Sequence, residues 1–139
     1  MRRTILIAGL LLCFCLGSSL VCAESTAYPD LVGTWTGVSS GYHAEDEMFY
    51  NETLDMMYTL TIAEQQGQAL RGTLEISEEY YQANFTFSGI IDHDMTTIYL
   101  AEKGTGMDII HILSPTEIEF IGLDLEKGSS MVVHFIKEE

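Results

Sequence analysis

The sequence predicts an all-β fold, an eight-stranded antiparallel up-and-down barrel, and three observations predict it. Between Leu31 and Lys137 the chain divides into eight segments of alternating polarity, each seven or eight residues long. Nearly all the connections are short and rich in Gly, Asp, Gln and Pro, as antiparallel neighbours require. No helical period follows the apolar leader. Eight sequential strands in an open sheet leave two exposed edges, and closing the sheet on itself removes both.

The leader comes first. Arg2 and Arg3 precede an uncharged run from Ile5 to Val21, and Val21-Cys22-Ala23 is the small-residue pattern that a signal peptidase cuts. Residues 1–23 are therefore read as a signal peptide and residues 24–139 as a single barrel domain in a secreted or extracytoplasmic protein. The alternative is a retained membrane anchor, for which the run is near the lower limit of length. Cys13, Cys15 and Cys22 all lie in the leader, so the cleaved chain has no disulfide and depends on packing.

The strands follow in order. Leu31–Val38 sets Leu31, Gly33, Trp35 and Gly37 against Val32, Thr34, Thr36 and Val38, and Met56–Ala63 sets Met56, Tyr58, Leu60 and Ile62 against Met57, Thr59, Thr61 and Ala63. Gln65-Gln66-Gly67-Gln68 turns the chain into Leu70–Ile76, which predicts a hairpin. Ala83–Gly89, Thr96–Glu102, Met107–Leu113, Glu117–Asp124 and Ser130–Lys137 complete the set. The last strands carry aliphatic residues on both faces, so alternation does not say which face points inward. Ile110, Ile112, Ile121 and Leu123 would form an apolar patch if they faced outward, and such a patch would favour a covered outer wall and a second copy or a protein partner.

One connection is long. Ser39–Asp55 carries Tyr42, His43, Glu45, Asp46, Glu47, Met48, Phe49 and Tyr50, and it reads as a lid over one mouth of the barrel or as a loop held on the outer wall.

Charge narrows the partners. The chain has 21 Asp+Glu against 6 Lys+Arg, a net charge of −15, and loss of Arg2 and Arg3 takes it to −17. Nucleic acid and anionic membrane surfaces need a basic footprint that is missing here.

Gly33-Thr34-Trp35, on the first strand near the start of the mature chain, resembles the opening of the calycin superfamily, the lipocalins and avidin-type barrels. That resemblance implies a barrel with a ligand cavity and a long first connection over its mouth. Two departures stand out: no basic residue of the last strand is assigned from sequence to pack on Trp35, and Trp35 is the only tryptophan, so the multiple-tryptophan pocket of avidins is absent. Gly33-Thr34-Trp35-Thr36-Gly37, Glu64-Gln65-Gln66-Gly67, Phe87-Ser88-Gly89-Ile90-Ile91, Tyr99-Leu100-Ala101-Glu102 and Glu117-Ile118-Glu119 are similar to phrases of small uncharacterised exported proteins of methanogenic archaea, which implies no chemistry.

The candidate site is a ligand site formed by Trp35, Tyr58, Leu60, Phe85, Phe87 and Phe120 of the barrel interior with Tyr42 and Phe49 of the lid. Such a wall suits a small apolar or amphipathic ligand, and the same residues equally make a filled core. The sequence has no catalytic set: Gly-x-Ser-x-Gly is missing and the cleaved chain has no thiol nucleophile. His111 and His134 lack a carboxylate partner in sequence. His43, Glu45, Asp46 and Glu47 match no established cation loop. No cofactor is expected. Asn51-Glu52-Thr53 and Asn84-Phe85-Thr86 fit the glycosylation sequon, Asn51 being the more exposed by its loop position. The reading is thus a non-enzymatic exported binding module, with a secreted structural or interaction domain of filled core as the alternative.

Overall fold

The computed structural model describes residues 27–44, 47–50, 56–102 and 106–139. Nine strands run in chain order: β1 (Gly33–His43), β2 (Met48–Tyr50), β3 (Met57–Gln66), β4 (Ala69–Glu78), β5 (Tyr81–Ile91), β6 (Thr97–Glu102), β7 (Gly106–Ser114), β8 (Glu117–Asp124) and β9 (Ser129–Lys137). All pairings are antiparallel in the order β2-β1-β3-β4-β5-β6-β7-β8-β9, and β1 also pairs with β9. The eight long strands therefore close into a barrel, as the sequence predicts, and β2 is an addition to its wall.

Local chemistry explains the turns. Gly67 takes a left-handed φ of 60° between β3 and β4, where only Gly is free of strain. In the turn before β6, the Asp94 carboxylate accepts the backbone N–H groups of Thr96 and Thr97 and the Thr97 hydroxyl, at 2.8, 2.8 and 2.6 Å. Asp124 does the same after β8, accepting from the N–H groups of Glu126 and Lys127. The β4–β5 link is tighter than the polar and aromatic stretch Ser77–Gln82 suggests. Both strands extend into it, and Glu78 pairs with Tyr81.

Alternation supplies the core. Trp35 pairs with Leu60, Leu60 with Leu74, Leu74 with Phe85, and Phe120 with Val133, so inward residues meet inward residues around the ring. Trp35, Leu60, Leu74, Ile98, Leu100, Ile110, Ile118, Phe120, Val133 and Phe135 are all buried. Phe120 and Phe135 meet edge to face at 6.3 Å. Where large side chains crowd the ring, Gly72 makes room: a Cβ there would strike the Thr61 carbonyl oxygen and the Phe87 ring.

The end of the barrel nearest Trp35 is closed. Trp35 is fully buried and its indole N–H donates to the Leu31 carbonyl at 3.1 Å. Gln65 braces the incoming chain, accepting from Leu31 N–H at 3.0 Å and donating to the Pro29 carbonyl at 2.8 Å. Lys137, the last residue of β9, holds its ammonium 5.1 Å from the Trp35 ring centre. The basic partner for Trp35 that could not be assigned from sequence is therefore Lys137, brought opposite it by the β1–β9 pairing.

One sequence expectation is corrected and one question left open by the sequence is decided. Residues 39–43 are not part of a loop: β1 continues through them because β9 runs on alongside to Ser129, and Met48–Tyr50 returns as β2. Ile110 and Ile112 do not face outward. Ile110 is fully buried and Ile112 packs against the core, which leaves Ile121 and Leu123 as the outward pair of that group. The leader, Asn51, Glu45 and Asp46 lie outside the described residues.

Candidate functional site

The interior residues proposed from sequence are present as packing. Trp35, Leu60 and Phe120 are at most 1 % exposed, Tyr58 and Phe87 at most 5 %, and Phe85 is partly buried against the same cluster. Burial raises the pKa of the Tyr58 hydroxyl, which donates to Met56 Sδ at 2.9 Å. Side chains thus fill the middle and the closed end of the barrel.

Tyr42 and Phe49 stand elsewhere. β1 has no bulge along its pairing with β9, so Tyr42, seven residues from inward-facing Trp35, faces outward. Phe49 is its direct neighbour across the β1–β2 pair, with ring centres 4.8 Å apart, and is 83 % exposed. Below them lies an open groove of about 590 Å³, whose walls include Ser40, Ile121, Ser130 and Val132. The structure brings Tyr42 and Phe49 to this outer groove and not to the aromatic residues of the interior.

Register shows how far the apolar surface extends. One row of outward positions runs Tyr99, Ile109, Ile121, Val132 and Ser40 across five strands. The next runs Leu123, Ser130, Tyr42 and Phe49. The opposite wall is different: β4 presents Arg71, Thr73 and Glu75 outward, and β5 presents Asn84, Thr86 and Ser88. Apolar side chains are thus concentrated in two adjacent rows on one side of the barrel, whereas most outward positions of β4 and β5 are polar, Ile90 beside Tyr99 being the exception.

A third outward row runs Thr97, His111, Glu119, His134 and Val38. The carboxylate that His134 lacks in sequence is Glu119, on the strand between it and His111. Its Oε2 lies 3.6 Å from His134 Nε2. Sequence separation hid this alignment, and only the β7–β8–β9 register reveals it. Among the described residues, no three His, Cys, Asp or Glu side chains converge to hold a metal ion. Asn84 is exposed on β5.

Among the described residues, one carboxylate is buried. Asp108 on β7 shares the inward face with Ile110 and is 8 % exposed. Desolvation, reinforced by the charge of Glu102, pushes its pKa up to about 6, while a hydrogen bond from the Leu123 N–H opposes the shift. Sequence patterning gave no sign of this, because a lone Asp at the start of a strand ordinarily belongs to a turn.

The architecture places the protein among closed, eight-stranded antiparallel β-barrels. No family model matches the chain, and no curated protein matches it. Two solved structures are similar. A redesigned β-barrel has 14 % identity and a TM-score of 0.58 over 78 % of this chain and 92 % of its own. A deswapped triple mutant of bovine odorant-binding protein has 16 % identity and a TM-score of 0.45 over 76 % of this chain and 72 % of its own. The likeness to exported archaeal proteins finds no support among these matches.

Proposed function

We propose that the protein is an exported, non-catalytic binding module that receives an apolar or amphipathic partner in the outer groove beneath the β1–β2 hairpin. The observation that carries this reading is the asymmetry of the wall. In a barrel whose core is already filled, outward positions have no packing reason to be apolar, yet two adjacent rows on β6–β9, β1 and β2 are mainly apolar, with Ser40 and Ser130 among them, while the half of the wall around β4–β5 is mostly polar. That polar half does not suit a hydrocarbon surround, which argues against a membrane-spanning barrel. The leader pattern supports export. The ligand site inside the barrel that the sequence suggests is less favoured, because a ligand there would displace Trp35, Leu60, Phe87 and Phe120 from packed positions.

The test uses the neutral apolar fluorophore N-phenyl-1-naphthylamine. Its emission is expected to rise on binding the purified protein and to fall back in Phe49→Ser, a change that removes the ring contact with Tyr42 but leaves the barrel folded because Phe49 is exposed. Binding that survives Phe49→Ser with unchanged affinity would place the probe away from the groove and overturn the reading.

A further inference from the structure

The surroundings of the groove carry a charge, and that charge specifies the partner. The β1–β2 and β8–β9 turns lie against each other: the Ala44 N–H donates to Ser129 Oγ at 3.4 Å, and a Cβ on Gly128 would sit 3.4 Å from Ala44 Cβ. These joined turns and their strand ends form the upper rim of the groove. They expose Glu47, Asp124 and Glu126, with Lys127 as the basic residue among them. The lower rim is the row containing Glu119, set between His111 and His134. The groove is thus an apolar strip with three carboxylates and one lysine along its upper rim and Glu119, beside His134, along its lower rim, in a protein with 21 acidic residues against 6 basic ones.

We infer that the groove takes a cationic amphipathic segment of another protein. Its apolar side chains rest on Ile121, Val132, Tyr42 and Phe49, and its Lys or Arg side chains meet the carboxylates of Glu47, Glu126 and Glu119. The inference rests on the functional reading above and adds the sign of the partner's charge. A second copy of this chain brings the same acidic rim, so apposing the two grooves sets like charge against like. A neutral acyl chain fills the strip and leaves the rim without a counter-charge. A cationic amphipath satisfies both parts.

Two synthetic helix-forming peptides test it, one of Leu and Lys in amphipathic order and one in which Gln replaces every Lys. The Leu/Lys peptide is expected to bind about tenfold or more tightly than the Leu/Gln peptide at low salt, and to lose that advantage as salt screens the rim. The double variant E47Q/E126Q is expected to weaken it about threefold or more, as removal of rim charges ordinarily does. Phe49→Ser, which leaves the charge untouched, is expected to abolish saturable binding. Equal, salt-independent binding of the two peptides overturns the cationic partner while leaving the groove reading intact, since the neutral fluorophore reports on that separately. Leu/Lys binding indifferent to Phe49→Ser shows attraction to overall negative charge and overturns the inference. So does a dimer, seen by light scattering, that Phe49→Ser dissociates.

Discussion

Replacing Asp108 by Asn changes one inward-facing group while keeping its shape and its acceptor oxygen for the Leu123 N–H. In the wild type, burial and the neighbouring Glu102 charge raise the Asp108 pKa from 3.8 to about 6. The folded state therefore holds this proton more tightly than the unfolded chain, so stability falls as pH rises between about 4 and 6, and the penalty is fully present above that window. The two values are separated by roughly 3 kcal/mol of differential interaction at neutral pH. Asp108 is only 8 % exposed, so solvent screening does not remove most of that figure. Asp108→Asn is expected to be more stable than wild type by about 2–3 kcal/mol at pH 7 and nearly equal to it at pH 4. Urea unfolding of both proteins from pH 4 to pH 8 gives the comparison, and taking the difference between them cancels the titration of the other carboxylates. A variant destabilised at pH 7, or a stability gain that does not change with pH, refutes the argument that desolvation of the charged form governs this site.

Two further outcomes are expected. Lys137→Met, which keeps most of the stem covering the closed end but removes the ammonium over Trp35, should lower stability by about 0.5–1 kcal/mol and alter the emission of the only tryptophan; Lys137→Ala should lose more, and an unchanged spectrum in both would show that the contact is idle. Three hydrogen bonds, the Thr97 hydroxyl foremost, depress the Asp94 pKa to about 2, so its stabilising effect is present above about pH 4 and lost as pH falls toward 2. Asp94→Ala should therefore flatten the acid limb of the unfolding profile, and a variant with an unaltered acid limb would contradict the assignment.

Much of the wall was legible because a strand with one polar and one apolar face announces its orientation. Leu60 and Thr59, or Phe87 and Thr86, differ enough in solvation that only one pattern of burial is affordable. The outer groove was less legible. Tyr42 and Phe49 stand out by composition, but a run of residues between two strands reads as a loop unless a neighbour is known to run beside it. The extension of β9 to Ser129 supplies that neighbour and converts residues 39–43 into strand.

The sequence alone determined that the chain is a β protein and where most of its strands lie, because alternation and short turns are local properties of the backbone, and the need to cover two sheet edges pointed to closure. The tertiary structure decided which face of β7, β8 and β9 is inside. Ile109 and Ile110, or Phe120 and Ile121, are alike in hydrophobicity, so local pattern carries no sign there and only pairing with strands of fixed orientation supplies one. The same pairing aligned Glu119 between two histidines, turned Asp108 inward and gathered Tyr42, Phe49, Ile121 and Val132 on one outer surface. Residues far apart in sequence become neighbours only through register, and register is set by the closure of the whole barrel.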